Sequence, residues 1–525
     1  MNILLECSTR NYYVYYELSR QLHKKYPNCK FGVFFQTNDS NAKRIFSESK
    51  EIEFEIIDLQ AIVNDKPADM DLIRKFEEYS NDNIWRMVVA DRAIGWNDLR
   101  GPYATYISSK KRKNKNFILK EFTNEIRKFS RIFNTFKPDI FFPAVAMGTI
   151  SVFILESLCK GSGTKYLLPD YTRMKNLYRL SENVLCLSPE IDEAFHELMQ
   201  SQDIHQLAQG RSLYQETQDN LSDQDSFDRE YMKSYGFIES ASVLDKFGFF
   251  KDYIFNLIKI LKSLTQRNLN IAEFIYKFCI AVRLYKLRLH NKLTVLDSSF
   301  GKLPEQDQKY LYFPLYNMPE YSSNFQSTLW LNIHAIVEFL SMSIPADWVI
   351  LLKEHPTTLQ HNFRPKNFYK KLENIPNVMF APLNADSHSL ISAAELVFVT
   401  VGTSGWEAIL RGKPVISLVE NFWDCLGWSY VCSDFSNLNK TIQLAVKENK
   451  SITDEEREHK LICYLEALSR NSFEISDPEV FSYYYQGQEE QYSKQGKGLA
   501  KGVIKYFEKI NLAQNIKKKK YFNYC

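Results

Sequence analysis

The chain has 525 residues, 45% hydrophobic and 25% charged, an ordinary composition for a folded globular protein but a length beyond what one hydrophobic core usually supports, so two domains plus insertions are expected. A net charge of +3 over this length gives no global field for nucleic acid, and any anion has to be held by locally placed cations and dipoles. Nine cysteines without a CxxC pair exclude a zinc ribbon and a disulfide framework and fit a reducing compartment.

The chain opens on Met1-Asn2-Ile3-Leu4-Leu5-Glu6, with neither a basic stretch nor a long apolar run, and nowhere carries eighteen consecutive uncharged apolar residues. The expectation is a cytoplasmic protein that is neither exported nor threaded through a membrane. Ile3 to Leu5, Tyr12 to Lys25, Phe31 to Phe35 and Phe54 to Leu59 read as strand, helix, strand and strand. Leu18 and Leu22 lie one helical turn apart, which suggests a βαβ unit and a parallel sheet. Asp69-Met70-Asp71 follows a polar turn and leads a helix, so it is not a convincing metal pair. Lys137-Pro138-Asp139 is a turn feeding a buried strand from Ile140 to Pro143, then a helix from about Ile150 to Cys159, then strands at Lys165 to Leu168 and Val184 to Leu187.

These elements make an N-terminal Rossmann-like domain over residues 1–195. Residues 196–305 form a polar linker and an amphipathic helical insertion. The acidic run from Asp219 to Asp228 reads as solvated linker, and Phe250 to Leu264 and Ile271 to Leu289 each keep apolar residues at i, i+3, i+4, i+7 with lysines and arginines opposite. That pattern fits either a basic hairpin lying on a membrane or a helical subdomain packed on its neighbour. Alternation resumes over 306–490. Tyr310 to Pro314, Trp348 to Lys353, Val378 to Ala381, Leu396 to Val401 and Pro414 to Val419 read as strands; Leu329 to Met342, Ser387 to Ala394 and Trp406 to Arg411 read as helices. This is a C-terminal Rossmann-like domain. Residues 491–525 are a C-terminal helix and a basic tail, Lys517-Lys518-Lys519-Lys520-Tyr521-Phe522, read either as a contact with anionic lipid at the inner face of the membrane or as a solvated end.

The strongest local signal runs from Val397 to Pro414. A buried strand turns through Gly402-Thr403-Ser404-Gly405 into a helix, so free backbone N–H groups and the positive dipole end point outward where a phosphate can sit, with the hydroxyls of Thr403 and Ser404 beside them. Ser404 and Glu407 also fit the S-x-x-E capping box, which competes for Glu407 with contact to a nucleotide ribose. The second signal is Lys353-Glu354-His355-Pro356 at a strand end. His355, as donor or imidazolium, can stabilise charge developing on a departing phosphate, assisted by Lys353. No metal and no cofactor are expected; the dipole, His355 and nearby cations carry the phosphate instead. In the first domain Glu6 and Asp170 follow strands and are candidate catalytic bases, and Arg173 can bind an acidic acceptor or donor carboxylate. Glu6 alternatively caps the next helix, and Asp170 alternatively bridges to Arg173.

Taken in order, Tyr312-Phe313-Pro314-Leu315, Pro319-Glu320, Lys353-Glu354-His355-Pro356, Gly402-Thr403-Ser404-Gly405-Trp406-Glu407-Ala408 and Gly412-Lys413-Pro414 resemble the capsule polysaccharide synthesis family, which includes Kdo transferases. The resemblance covers residues 309–425 and is thinner in the first domain. It implies an α/β fold of the GT-B type, two Rossmann-like domains facing a cleft. It also implies a metal-independent glycosyltransferase that takes a CMP-activated acidic sugar, Kdo or sialic acid, and delivers it to a surface-polysaccharide or lipid-linked acceptor. By position His355, Pro356, Thr403 and Ser404 would hold the nucleotide, and Glu320 the substrate. The alternatives are a nucleotide-sugar epimerase, a CDP-alcohol phosphotransferase, or a non-catalytic glycan-assembly protein.

Overall fold

The computed structural model describes residues 1–36, 39–59, 66–92, 94–95, 114–144, 148–174, 176–201, 207–222, 301–318, 320–355, 358, 364, 367–475, 487–510 and 522. The amphipathic helices expected within 250–289, most of the acidic run, Pro356 and the four tail lysines lie outside the described residues.

The first domain is built from β1 (Asn2–Cys7), α1 (Tyr12–Lys25), β2 (Lys30–Phe35), α2 (Ser40–Ser47), β3 (Phe54–Ile57), α3 (Met70–Ser80), α4 (Ile84–Ala90), α5 (Lys115–Phe136), β4 (Ile140–Phe142), α6 (Ser151–Ser162) and β5 (Lys165–Tyr166). Its five strands pair in parallel in the order β3-β2-β1-β4-β5. Ile3, Leu4 and Leu5 are all fully buried, which is why β1 is a continuous apolar run: helices cover both faces of a parallel sheet. The expected Asp69-Met70-Asp71 reading holds in detail, since Asp69 caps α3 by accepting from Leu72 N–H at 3.0 Å and Asp71 pairs with Arg74 at 2.9 Å.

A short antiparallel sheet follows, with β6 (Leu168–Tyr171) and β7 (Leu177–Ser181), then α7 (Pro189–Gln200) and α8 (Ala208–Ser222). Two expectations fail here. The run from Lys165 to Leu168 is divided: β5 closes the first sheet, and β6 turns away to pair with β7. Val184 to Leu187 is not a strand, because side chains take its backbone groups. Val184 N–H donates to Glu156 at 2.9 Å, the Cys186 carbonyl accepts from Arg179, and Cys186 itself has φ +58°.

The second domain contains β8 (Tyr310–Pro314), α9 (Ile333–Ser341), β9 (Val349–Lys353), α10 (Phe368–Glu373), β10 (Val378–Phe380), α11 (Ser387–Ala393), β11 (Leu396–Val399), α12 (Thr403–Leu410), β12 (Val415–Ser417), β13 (Ser429–Val431), α13 (Leu438–Ser451) and α14 (Asp454–Arg470). Its parallel sheet has the order β10-β9-β8-β11-β12-β13. The helix expected from Leu329 begins only at Ile333. A π-helical turn over Ser322–Gln326 and a 3-10 turn over Thr328–Trp330 precede it, where Ser327 and Thr328 hydroxyls bond back to the carbonyls of Ser323 and Asn324 at 2.8 and 2.7 Å. The fold class is the expected one, α/β with two Rossmann-like sheets.

The chain then returns to the first domain. β14 (Phe473–Glu474) pairs antiparallel with β7, and α15 (Glu489–Lys509) packs along α1. Tyr13 meets Tyr492 at 6.0 Å and Tyr26 meets Phe507 at 5.9 Å, so the two helices run parallel. Near the chain end Phe522 is buried beside Phe76 and Tyr79, and its carbonyl accepts from Asn134 at 3.0 Å. Among the described residues no helix is long and apolar enough to cross a membrane.

Candidate functional site

In both sheets the chain reverses direction beside the first strand. β1 leads outward to β2 and β3 while β4 and β5 fill the other side, and β8 and β11 are placed in the same way in the second sheet. Connections leaving the carboxyl ends of such neighbouring strands diverge and open a crevice. The two carboxyl edges are turned toward each other. The turns after β8 reach the first domain near the start of α6, with Asn324 donating to the Ala90 carbonyl at 2.9 Å, Tyr321 to that of Val184 at 3.3 Å, and Phe325 against Phe153 at 5.1 Å.

At the second sheet's edge, β11 ends and α12 begins on Gly402, which has φ +139° and ψ 173°, a conformation glycine tolerates and L side chains do not. A Cβ on Gly405 would sit 2.8 Å from the Trp423 ring and 3.1 Å from Val399, so only glycine lets α12 lie this close to its sheet. The expected capping box is not formed. Gly402 holds the cap position, no side chain caps the helix, and Ser404 is already its second residue. The first N–H groups of α12 and the partly exposed Thr403 and Ser404 therefore face the crevice. Thr400, just before the turn, has a buried hydroxyl with no hydrogen-bond partner among the described residues. Glu407 stands 3.8 Å from His388 Nδ1, too far for a hydrogen bond, and Arg411 lies 3.0 Å from the same nitrogen.

β9 delivers the Lys353-Glu354-His355 segment to the same edge. Lys353 is 5% exposed and forms no ion pair among the described residues; burial pulls its ammonium below the usual lysine range, with the Glu354 and Asp386 carboxylates opposing. His355 is also pulled down by burial, against the upward pull of Glu320 and Glu354. Burial thus favours the neutral imidazole. Glu354 is the strut between them. Its carboxylate takes Arg364 at 2.8 and 2.6 Å, Tyr369 at 2.9 Å and the His355 backbone N–H at 2.7 Å, with both Glu354 and Arg364 at 1% exposure. Arg364 continues to the Tyr316 carbonyl at 3.1 Å and so ties the end of β9 to the end of β8. Glu320, after β8, accepts from Asn317 at 2.7 Å. Glu320, Lys353, His355, Thr403, Ser404 and Glu407 are therefore all carried by the connections that leave one sheet edge.

The first sheet's edge holds Glu6, at the end of β1 and 2% exposed. One carboxylate oxygen accepts from Ala144 N–H at 2.8 Å and the other from Gln36, so it spans the ends of β4 and β2 and does not cap α1. Burial pushes its pKa up to about 7, partly offset by those two bonds. A carboxylate poised near neutrality suits a general base. The start of α6, unlike that of α12, is filled from within, Asp91 accepting from Ile150 N–H at 2.7 Å.

Asp170 stands elsewhere. It lies within β6, opposite Arg179 in the register, and accepts from that nearly fully buried guanidinium at 2.8 Å. The structural bridge anticipated for Asp170 is made, with Arg179 as the partner instead of Arg173. Arg173 is exposed, has φ +65° and lies over the Tyr171 ring at 5.7 Å. Among the described residues no group of three metal-ligating side chains converges. Sequence reasoning missed Glu354 and Arg364, which are ten residues apart; the place of Glu354 between Lys353 and His355 at a strand end was the one available signal.

Residues 320–444 match the family model described as "Capsule polysaccharide biosynthesis protein", a segment that contains both motif turns and bears out the resemblance read from the sequence. No curated protein matches the sequence. Among solved structures, the chain is similar to the UDP-GlcNAc 2-epimerase of Neisseria meningitidis bound to UDP-GlcNAc, with 11% identity over 96% of this chain and 100% of that one and a TM-score of 0.23. It is similar to S. aureus MnaA with UDP, with 11% identity over 99% and 100% and a TM-score of 0.27. A third is KpsC of Thermosulfurimonas dismutans, a beta Kdo 2,7 transferase, with 16% identity over 47% and 67% and a TM-score of 0.24. Likenesses this distant speak to neither activity nor ligand.

Proposed function

We propose that the protein is a glycosyltransferase of the GT-B type in capsule polysaccharide biosynthesis, moving a CMP-activated acidic sugar such as Kdo or sialic acid from the second domain to a polysaccharide or lipid-linked acceptor in the first, without a metal. The observation that carries this reading is the pairing of unlike edges across the crevice: an uncapped helix start with Lys353 and His355 on one side, and Glu6, with a pKa of about 7, on the other.

In this reading the donor's phosphate rests on the first N–H groups of α12 and the hydroxyls of Thr403 and Ser404. Lys353 faces the phosphate or the sugar carboxylate, and His355 donates a hydrogen bond to the leaving phosphate as its charge grows. Glu407 is placed for the ribose. Glu6 takes the proton from the acceptor hydroxyl as that oxygen attacks the anomeric carbon, and the nucleotide leaves with the bonding pair. Action at the inner face of the membrane belongs to the same reading.

The test is thermal stability with CMP, CDP, UDP and GDP, each with and without EDTA. Ligand at 100 times its dissociation constant raises stability by about 2.7 kcal/mol. A response to CMP that EDTA leaves unchanged is the expected result, and a response to UDP or GDP alone replaces the donor class. His355→Ala should lower transfer by about 10²- to 10³-fold with the melting temperature retained; full turnover by that variant overturns the assignment. Product formed from donor without any acceptor would indicate an epimerase instead.

A further inference from the structure

Helix α15 carries a row of lysines that the transfer chemistry does not use. Lys497, Lys501, Lys505 and Lys509 repeat every four residues, are all exposed, and form no ion pair among the described residues. Lys505 and Lys509 donate only to the Arg470 carbonyl and the Asn471 side chain, at 2.9 and 3.0 Å. At a rise of 1.5 Å per residue the row is roughly 18 Å long. The acidic groups around it are few: Glu490 is held by Lys494 at 2.9 Å, Glu508 by Lys25 at 3.4 Å, and Glu182 by Lys165 at 2.7 Å, while Glu474 lines the groove beside the row.

Two further features give the row a direction and a floor. Because α15 runs parallel to α1, and α1 begins just after the carboxyl end of β1, the Lys497 end lies toward the sheet edge that bears Glu6 and the Lys509 end points away from it. Beside the Lys497 end is a cavity of ≈ 560 Å³ lined by Asn176, Phe473, Glu474, Lys494, Lys497 and Lys501. Gly498 also lines it, and Gly502 lets the helix sit directly on β14, where a Cβ would meet the Phe473 ring at 2.3 Å. The apolar face of α15, with Tyr492, Leu499, Val503 and Phe507, is already buried against α1, so the helix has no apolar wedge to insert into lipid.

We infer that this lysine row and its cavity bind a linear anionic polysaccharide, holding an acidic acceptor chain as it leads from the Glu6 edge across the first domain. The inference deepens the proposed function by naming the acceptor class, and it rests on that reading for the direction of the chain. The binding itself is measurable without donor, nucleotide or turnover, so the two readings fail separately.

The experiment measures binding of the full-length protein to alginate oligomers, which carry a carboxylate on every sugar, with neutral dextran and phosphatidylglycerol vesicles as comparison arms. Alginate should bind more tightly with oligomer length up to a plateau, and dextran should not bind. The variant Lys497→Glu/Lys501→Glu/Lys505→Glu should lose about tenfold or more in alginate affinity, as three exposed charge contacts imply. The milder triple change to glutamine should lose less, with the melting temperature and the nucleotide response of both variants unchanged. Undiminished alginate binding by the glutamate variant overturns the proposal. So does vesicle binding that depends on these lysines when alginate binding does not, which would make the partner a membrane surface.

Discussion

The carboxyl edges of the two sheets share a topology and differ in what the protein leaves open there. At the first edge the approach to α6 is closed by Asp91, and the buried carboxylate Glu6 is held at the centre of the sheet between Gln36 and Ala144. At the second edge α12 starts on a glycine with no capping side chain, and the same edge carries a buried lysine that forms no ion pair among the described residues and a histidine that burial pulls toward its neutral form. In the proposed function one edge accepts a proton and the other holds an anion. The same strand order hosts both because the chemistry resides in one or two residues after each strand.

The contrast breaks most severely at Glu6. Glu6→Gln keeps the size and can keep the bond to Ala144, but cannot take a proton; the expected loss in kcat is about 10²- to 10⁴-fold. The wild-type rate should rise with pH through about 7, the value to which burial lifts this carboxyl. Stability runs the other way. Between the ordinary 4.5 and about 7 the folded state holds a proton that the unfolded chain gives up, so stability falls as pH rises through that window, by a quantity on the order of 3 kcal/mol. Melting curves at pH 5 and pH 8 should therefore show Glu6→Gln gaining on the wild type at the higher pH, and an unchanged difference would refute the buried, proton-holding carboxylate.

Next comes Glu354→Gln. It leaves Arg364 buried without its counter-charge, an expected loss of about 3–5 kcal/mol in denaturant unfolding. Gly405→Ala presses a methyl against Trp423 and should cost about 1–3 kcal/mol while weakening the response to nucleotide. The smallest effect is expected of Ser404→Ala, which removes one phosphate donor: about 1 kcal/mol, or roughly fivefold, in donor affinity with stability unchanged. Were Ser404→Ala instead to cost stability, its hydroxyl would be serving the helix and not a ligand.

The alternation of strands and helices was legible wherever burial on both faces left continuous apolar runs, as in β1, β8 and β11, and the turn at Gly402 was legible because only a few residue types permit it. The capping box was misread because S-x-x-E spacing does not reveal that a glycine with positive φ has already taken the cap position. Val184 to Leu187 was misread because its apolar content matches a strand, whereas its backbone is claimed by Glu156 and Arg179, residues distant in sequence or folded back from β7. Asp170 finds Arg179 through an antiparallel register, and Glu354 finds Arg364 ten residues further along the chain; neither pairing has a period to detect.

The return of β14 and α15 to the first domain bears on how the chain can be made. The residues of α1 that face α15 leave the ribosome long before their cover, which is encoded by residues 489–509, and Phe522 fills the core beside Phe76 and Tyr79 still later. Of the two domains, the one begun earlier is thus completed later. Until residues 489–509 have been made, Tyr12, Val14 and Leu18 lie in a unit that lacks one wall, a state open to chaperones and to aggregation. A chain stopped after residue 475 should stay in that state, recovered from cells in the insoluble fraction however well its second domain folds.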